Sequence, residues 1–504
     1  MAHAEAEAAP KLVRGLGLTD ATMIVMGSMI GSGIFITSAE SARLVGAPGW
    51  LLVAWLLAGV MTVSGSLCCA ELAAMIPRAG GQYVFLREAY GPVCGFLFGW
   101  ALFLVVQTGT IAAVSVAFAR FLGVFFPAIA PDNFWIAPVK FGGYALALST
   151  QQLAAVGLIG LLTASNMQGL RTGTIIQNTF TFTKTAALIG LIAVGLTIGI
   201  SPGASAWTSS WWNPSANGWD PSAVQNGLGL TGGAALAVLL GKAMIGPLFS
   251  QSAWNNVTFT GGETRNPGRT LPLALLMGCG SVVILYVLAN VAYVAALPLD
   301  SIQQADRVGA VLMQAAFGKF GWGGLGANLM ALAILISTFG CVNGLCLTGA
   351  RVYYAMARDG VFFARAATTN RHHVPSSALV AQGVWASLLV LPLTVGVNPE
   401  TKVDTYGNLY NQLLEYLIPV DVLFYTLMVV AVVVLRRRSP GVERPYRTFA
   451  YPLPVIVYVV LATLLVLDFV ALAPATSGVG FLIVLAGVPV YLIWSRASAS
   501  RPLD

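Results

Sequence analysis

The chain contains the stretch Met23-Ile-Val-Met-Gly27-Ser-Met-Ile-Gly31-Ser32-Gly33-Ile-Phe35, in which three glycines and two serines interrupt an apolar run. The run lies within residues 18–38, long enough to cross the roughly 30 Å of hydrocarbon in a membrane. Glycine costs up to ~1 kcal/mol against alanine inside a helix, so a Gly-Ser-Gly run is hard to keep helical. The stretch therefore predicts a helix that breaks near mid-membrane. The alternative interpretation is close packing against another helix through small residues.

A second interrupted apolar run lies at residues 230–259. It contains Gly246-Pro247, followed by Phe249-Ser250-Gln251-Ser252-Ala253-Trp254-Asn255. Proline removes a backbone donor and kinks or breaks a helix. Broken spans in matching positions of two halves of a chain indicate a transporter whose binding site lies between them. Here they are the first and sixth apolar runs, so each half contains five spans.

The composition explains why these runs are membrane spans. Of 504 residues, 57% are hydrophobic and only 9% are charged, and the mean hydropathy is +0.79. A soluble domain carries roughly 25% charged residues, so a soluble enzyme is excluded. We predict an all-α polytopic membrane protein with twelve transmembrane helices, at 18–38, 48–75, 92–126, 150–170, 174–201, 230–259, 271–297, 322–356, 376–396, 408–435, 451–473 and 476–495.

Basic residues lie mostly on one side of these spans. If the N-terminus is cytoplasmic, eighteen of the 26 lysines and arginines fall in cytoplasmic segments and five in outer loops. Membrane proteins keep positive residues in the cytoplasm, so we predict that both termini are cytoplasmic. The predicted organisation is a cytoplasmic tail at 1–17, a five-helix repeat at 18–201, an extracellular loop at 202–229, a second five-helix repeat at 230–435, a cytoplasmic basic loop at 436–450, two spans within 451–495 and a cytoplasmic tail at 496–504.

The net charge of +7 does not indicate nucleic-acid binding, because the basic residues are placed to face lipid headgroups. A polytopic membrane enzyme is an unlikely alternative. The only histidines are His3, His372 and His373, and the sequence contains no His-Glu-x-x-His or Walker pattern. We expect no catalytic residues, no cofactor and no metal.

Several motifs, taken in order, resemble the amino acid–polyamine–organocation (APC) superfamily and, within it, the L-type amino acid transporter (LAT) family. The stretch from Gly27 to Phe35 resembles the family's first-helix GSGIF motif. Trp254-Asn255, followed by Glu263-Thr-Arg-Asn-Pro267-Gly-Arg269-Thr-Leu-Pro272-Leu-Ala274, resembles its sixth-helix signature. Further matches are Ala70-Glu71-Leu, Ile76-Pro77-Arg-Ala-Gly-Gly81-Gln-Tyr83, Phe339-Gly-Cys-Val-Asn343-Gly344 and Arg444-Pro445-Tyr446. The resemblance covers roughly residues 15–495 and implies the LeuT-like fold, a 5+5 inverted repeat with broken helices 1 and 6.

Broken backbone at mid-membrane is tolerated only where it lines a polar cavity. The freed N–H groups of Gly31, Ser32 and Gly33, which follow Ile30, suit a carboxylate. The carbonyls of Met29, Phe249 and Ser252 suit an ammonium. Together they would bind the two groups that every α-amino acid shares. The resemblance implies the same roles for these residues, with Phe249 also acting as an aromatic gate.

Other predicted lining residues come from the aligned segments, and each has helix packing as its alternative interpretation. They are Val106 and Thr110 in the third span, Asn255 in the sixth, and Ser337 and Cys341 in the eighth. The chain departs from the family at Ser252-Ala253, where glycines are usual, and at Gln251, where an aromatic residue is common.

Charged residues inside spans are costly and mark function. Lys184 lies deep in the fifth span, and the resemblance places it where sodium-coupled relatives bind sodium. Its ammonium can then bond the carbonyls that end the inner half of helix 1. The alternative is a structural lysine paired with a carboxylate. Asp421 in the tenth span either selects the substrate side chain or pairs with Lys242 in the sixth, and the sequence does not separate the two.

The sequence and the resemblance together predict a sodium-independent exchanger of neutral L-amino acids in the cell (inner) membrane that works by alternating access. A proton-coupled symporter and a carrier of cationic amino acids of the same fold are the alternatives. Some eukaryotic relatives are disulfide-linked to a heavy subunit through an external cysteine. The outer loop Pro127–Ser149 contains no cysteine, so we expect no such partner and a free-standing, bacterial protein whose partners are amino acids and membrane lipid.

Overall fold

The computed structural model describes residues 12–222, 229–397, 404–408, 410–472 and 474–499, so parts of both predicted tails and of the predicted loop at 202–229 lie outside the described residues. Its main elements in chain order are α1 (Leu18–Met29), α2 (Gly33–Ile36), α3 (Ser38–Val45), α4 (Pro48–Met75), α5 (Gln82–Tyr90), α6 (Pro92–Ala101), a π-helical turn (Leu102–Val106), α7 (Gln107–Phe125), β1 (Phe134–Phe141), β2 (Tyr144–Ser149), α8 (Thr150–Met167), α9 (Leu170–Leu196), α10 (Gly232–Ala243), α11 (Ile245–Ser250), α12 (Asn256–Phe259), α13 (Pro267–Ala296), α14 (Leu299–Gln304), α15 (Val308–Gly318), α16 (Gly323–Arg358), α17 (Ser376–Val390), β3 (Pro392–Val397), β4 (Asp404–Asn408), α18 (Tyr410–Arg438), α19 (Leu453–Leu472) and α20 (Pro474–Ala499).

Ten helical segments among the described residues are long and apolar enough to cross a membrane. They coincide with ten of the twelve predicted spans, which confirms the polytopic helical class. The predicted fourth and ninth spans are α8 and α17, of 18 and 15 residues, which do not reach the length and apolar content of the other ten. The twelve-span inverted repeat therefore stays a prediction.

Span one lies at the centre of the helix packing. Its inner half, α1, packs against α9, α13 and α16, and α4 packs along α13. These neighbours surround the predicted break with side chains from three other helices, so polar groups on those helices can reach its backbone.

Span six is interrupted where its sequence predicts, and a hydroxyl from α3, the helix after span one, bonds the carbonyl that the interruption frees. In a continuous helix the Ala243 carbonyl would accept the N–H of residue 247, but Pro247 has none. Ser41 in α3 donates its hydroxyl to this carbonyl instead, with Oγ 2.7 Å from the oxygen. The chain leaves the helix again at Gln251 and resumes it at Asn256.

Two loops on the side predicted to be external form a sheet that the sequence analysis does not predict. The strands are antiparallel in the order β1-β2-β3-β4, so the loop after span three pairs with the loop after α17. The prediction that the ninth span continues as helix to residue 396 is wrong in its last turns. Pro392 cannot continue the helix, and residues 392–397 pair as β3.

Ion pairs close the side predicted to be cytoplasmic. Arg351 in α16 makes a bidentate pair with Glu263, which follows the break in span six, at 2.8 and 3.0 Å, and both side chains are essentially inaccessible to solvent. Arg436 in α18 makes a similar pair with Glu71 in α4 at 2.8 and 2.6 Å. The first pair ties span six to span eight, and the second ties span two to span ten.

We expect Glu263→Gln to destabilise the fold by about 3–5 kcal/mol, because it leaves the Arg351 guanidinium buried without a counter-charge. The matched control is Glu40→Gln, which removes the exposed pair with Arg43 and should cost under about 1 kcal/mol. Thermal unfolding of the two detergent-purified variants, followed by size-exclusion fluorescence, measures the difference. Equal midpoints for both variants would show that the buried pair does not hold this side together.

Candidate binding site at the helix breaks

The break in span one exposes backbone donors. Helix α1 ends at Met29, Ile30 is extended at φ −76° and ψ 93°, and α2 begins at Gly33. The N–H groups of Gly31 and Gly33 make no hydrogen bond within the described part of the chain, although both residues are buried. Ser32 lies between them and is 1% exposed. Buried backbone donors without a partner are rare in proteins, so this turn is where an acceptor from a ligand would fit.

Lys184 satisfies the carbonyls at the end of α1. Its side chain is inaccessible to solvent, and Nζ lies 2.6 Å from the Gly27 oxygen, 2.6 Å from the Ile30 oxygen and 3.4 Å from the Ser337 oxygen. An ammonium has three donors, and all three point at carbonyls. Among the described residues no carboxylate pairs with Lys184. The contacts with α1 are those that the family resemblance implies.

Side chains of α16 bond the remaining carbonyls of the break. Ser337 donates its hydroxyl to the Gly31 oxygen at 2.9 Å, and the Cys341 thiol lies 3.2 Å from the Ser28 oxygen. A Cβ added to Gly31 would lie 3.3 Å from the Cys341 sulfur. Both predicted residues of span eight therefore contact the break itself.

Helix α13 carries contacts that the sequence analysis missed. Tyr286 donates to the Met29 oxygen at 3.1 Å, Tyr293 donates to the Ile34 oxygen at 3.2 Å, and Asn290 accepts the Ser38 hydroxyl at 2.8 Å. The three residues are spaced i, i+4 and i+7, so they lie on one helix face. That spacing of polar groups within an apolar span is the signal that would have found them.

The predicted ammonium ligands are only partly free. The Met29 carbonyl accepts the Tyr286 hydroxyl, and the Phe249 carbonyl accepts the N–H and the hydroxyl of Ser252 at 3.1 and 2.9 Å. The prediction that these two carbonyls are free is therefore wrong, because neighbouring side chains reach them. Within the described residues the Ser252 carbonyl accepts no hydrogen bond and remains available.

The two breaks lie against each other. A Cβ on Gly33 would lie 2.1 Å from the Ser250 hydroxyl oxygen, and one on Gly246 would lie 2.6 Å from the Thr37 Cβ. The Thr37 and Ser250 hydroxyl oxygens are 3.3 Å apart. Small residues in both segments therefore bring the free donors of span one beside the non-helical turn of span six.

Asn255 is held in a network directed away from span one. Its amide donates to the Gln82 side-chain oxygen at 2.5 Å, and its own oxygen accepts the Tyr425 hydroxyl at 2.9 Å. Tyr425 also accepts the Ala253 N–H at 3.2 Å. The side chain of Asn255 thus ties the break in span six to α5 and α18.

The other predicted residues lie in four places. Phe249 is buried in the last turn of α11, at 7% exposure. Val106 ends the π-helical turn in span three and accepts the Thr110 hydroxyl at 2.6 Å. Lys242 lines a cavity of about 330 Å³ on the side predicted to be external, whereas Asp421 lines a separate small cavity, and the two form no ion pair.

Ala253 adopts φ +64° in the break, where the family usually has glycine. A left-handed backbone costs a residue with a Cβ about 1–2 kcal/mol, and more when the side chain is β-branched. We therefore expect Ala253→Gly to be tolerated and Ala253→Val to lower the thermal unfolding midpoint in detergent. The control is Ala193→Val at an exposed helical position of α9, which should change stability by under about 0.5 kcal/mol. A valine at 253 that is as stable as one at 193 would contradict the left-handed backbone.

Comparison with known proteins identifies the family of the chain. The family model for amino acid permeases matches residues 16–494. The human "Large neutral amino acids transporter small subunit 2" is 30% identical over 484 residues, which cover 96% of this chain and 80% of that protein. The mouse "Asc-type amino acid transporter 1" is 30% identical, covering 96% and 81%, and the human "b(0,+)-type amino acid transporter 1" is 27% identical, covering 92% and 83%. The chain belongs to the amino acid permease family, and it is a membrane transporter of the LAT type rather than an enzyme.

Proposed function

We propose that this protein is a sodium-independent exchanger of neutral L-amino acids that works by alternating access. The observation that carries the proposal is the pair of adjacent breaks, where the N–H groups of Gly31 and Gly33 and the carbonyl of Ser252 have no hydrogen-bond partner among the residues that the structure describes. Backbone donors suit the substrate carboxylate, and the carbonyl suits its ammonium. Because both groups occur in every α-amino acid, this part of the site does not depend on the side chain.

Neutral substrates fit the surroundings of the breaks. The ammonium of Lys184 is already bonded to three carbonyls, and Asp421 lines a cavity between spans two, six, ten and α19 rather than the break in span one. The name of the human relative, "Large neutral amino acids transporter small subunit 2", refers to large neutral amino acids, which supports the same class. We place Val106, Thr110 and Phe249 around the substrate side chain, with Phe249 as the gate.

Independence from sodium follows in this proposal from Lys184. Its ammonium is a fixed positive charge on the carbonyls of Gly27 and Ile30, so a mobile cation is not needed to hold the end of α1. An ammonium and a sodium ion would compete for the same oxygens. We therefore expect transport to be unchanged when choline replaces sodium.

The remaining parts of the proposal concern topology and partners. We propose twelve spans arranged as a LeuT-like inverted repeat, with cytoplasmic termini, in the cell membrane. All six cysteines are free thiols in the structure, and the outer loop at 127–149 contains none. We therefore propose that the chain acts without a disulfide-linked subunit.

Counterflow in proteoliposomes tests the proposed function. Vesicles preloaded with an unlabelled neutral amino acid should accumulate the labelled one, and vesicles without internal amino acid should not. A panel of internal amino acids then ranks the substrates. Uptake that needs an inward proton gradient but no internal amino acid would replace the exchanger with a symporter.

We expect Lys184→Ala to lower the initial rate of counterflow at least about tenfold, because the carbonyls of Gly27 and Ile30 lose bonds to a charged donor worth about 1.5–3 kcal/mol each. The control is Lys319→Ala, which removes a lysine that bonds the Ile198 and Ile200 carbonyls on the outer side and should keep the wild-type rate. Both variants should insert into membranes at wild-type levels. Wild-type exchange by Lys184→Ala would remove Lys184 from the transport machinery.

A further inference from the structure

A small cavity lies where span two, the break in span six, α18 and α19 meet. Its volume is about 20 Å³, enough for one water molecule. Span two contributes Thr62, the break contributes Gln251 and Ser252, α18 contributes Asp421 and Tyr425, and α19 contributes Tyr458. The proposed substrate contacts share one residue with this cavity, Ser252, whose carbonyl is the proposed ammonium ligand, and do not use its other lining residues.

Two side-chain groups on this cavity lack hydrogen-bond partners. Asp421 is 7% exposed, and its carboxyl makes no hydrogen bond or ion pair within the described part of the chain. Gln251 is 1% exposed, and while its amide nitrogen lies 3.4 Å from the Trp55 oxygen, its Oε1 is buried without a donor. An unpaired buried polar group is costly, and an unpaired buried charge is far more costly.

A single proton would satisfy both groups. As a carboxylate, Asp421 can only accept hydrogen bonds, and so can Gln251 Oε1. As a carboxylic acid, Asp421 gains an O–H donor, which can bond Gln251 Oε1 directly or through one water, for which the cavity has room. The proton comes from water, and the step is the reversible conversion of a carboxylate to a carboxylic acid.

The neighbouring ionisable groups give Asp421 no counter-charge. Among the residues that the structure describes, no lysine or arginine lines the cavity. Tyr425 on the same helix donates its hydroxyl to Asn255, and Tyr458 faces the cavity from α19. The thiols of Cys69 and Cys68 on α4 lie close enough to interact with Tyr425 and Tyr458, respectively. All four are neutral in their ordinary state, so none of them stabilises a carboxylate as a cation would.

We propose that Asp421 and Gln251 form a proton-binding site that must be occupied for amino acid exchange to proceed. An ionised Asp421 would draw water into the junction and separate α18 from the break in span six. Tyr425, four residues further along α18, bonds both Ala253 and Asn255 of that break, so the separation would reach the part of span six that contacts span one. This proposal rests on the exchange function proposed above.

Infrared difference spectroscopy tests the site without any transport. Raising the pH of the substrate-free protein in lipid should remove a C=O band of a protonated carboxylic acid, because carboxylates lack that band. The band should be absent in Asp421→Asn and shifted in Gln251→Leu, which removes the acceptor. Asp468→Asn is the matched control, since Asp468 is another carboxyl in a span, beside Lys242, with a buried oxygen that has no partner in the described residues. This variant should keep the band that Gln251→Leu shifts. A wild-type spectrum without the band, or a band lost in Asp468→Asn alone, overturns the assignment.

The pH profile of counterflow tests the role in exchange. The wild-type rate should fall by about tenfold per pH unit above the titration of the site, because the protonated fraction falls in that proportion. Asp421→Asn mimics the neutral acid and should give a flat profile, and Asp468→Asn should keep the wild-type profile. A flat wild-type profile overturns the inference while leaving exchange intact, whereas no wild-type counterflow at any pH rejects the proposed function. If Asp421→Asn does not fold, the wild-type and Gln251→Leu results decide.

Discussion

The hydrogen bonds from the Lys184 ammonium to the Gly27 and Ile30 carbonyls are the interaction on which the rest of the site depends. A helix that ends inside a membrane leaves its last carbonyls without donors, and no water is present in the bilayer core to supply them. A buried ammonium is itself costly unless its donors are satisfied. The hydrogen bonds give the carbonyls their donors and give the ammonium its acceptors, so they offset both costs at once. Span one can therefore stay broken at its centre. Three other side chains bond carbonyls of the break in the same way: Ser337 bonds the Gly31 oxygen, Cys341 the Ser28 oxygen and Tyr286 the Met29 oxygen.

The consequence of this arrangement is an asymmetry between acceptors and donors. The carbonyls of the break in span one are bonded to side chains from three helices, whereas the N–H groups of Gly31 and Gly33 are not bonded within the described residues. The site therefore offers donors on span one and the Ser252 carbonyl on span six.

On the predicted cytoplasmic side, the buried Arg351–Glu263 pair closes the structure, while the cavity lined by Lys242 lies on the other side. The buried ion pair and the cavity therefore involve opposite ends of span six.

The sequence predicts the features of the site that depend on residues close together in the chain. Gly31-Ser32-Gly33 and Pro247 locate the interruptions, and the family resemblance gives the partner of Lys184. Contacts between helices that are far apart in the sequence were missed or misplaced, because a single sequence does not specify which helix faces contact each other. The Tyr286 hydroxyl donates to the Met29 carbonyl, and the Asn255 amide donates to Gln82 rather than contacting span one. The outer sheet was missed because its two loops are about 250 residues apart in the chain and form strands only through pairing with each other.

An experimental structure of the protein in lipid with a neutral amino acid bound tests the central claim most directly. The account predicts a substrate carboxylate within hydrogen-bond distance of the Gly31 and Gly33 nitrogens, a substrate ammonium at the Ser252 carbonyl, and Lys184 on the carbonyls of Gly27 and Ile30. A continuous helix through residues 30–32, or an amino acid bound away from both breaks, would contradict it.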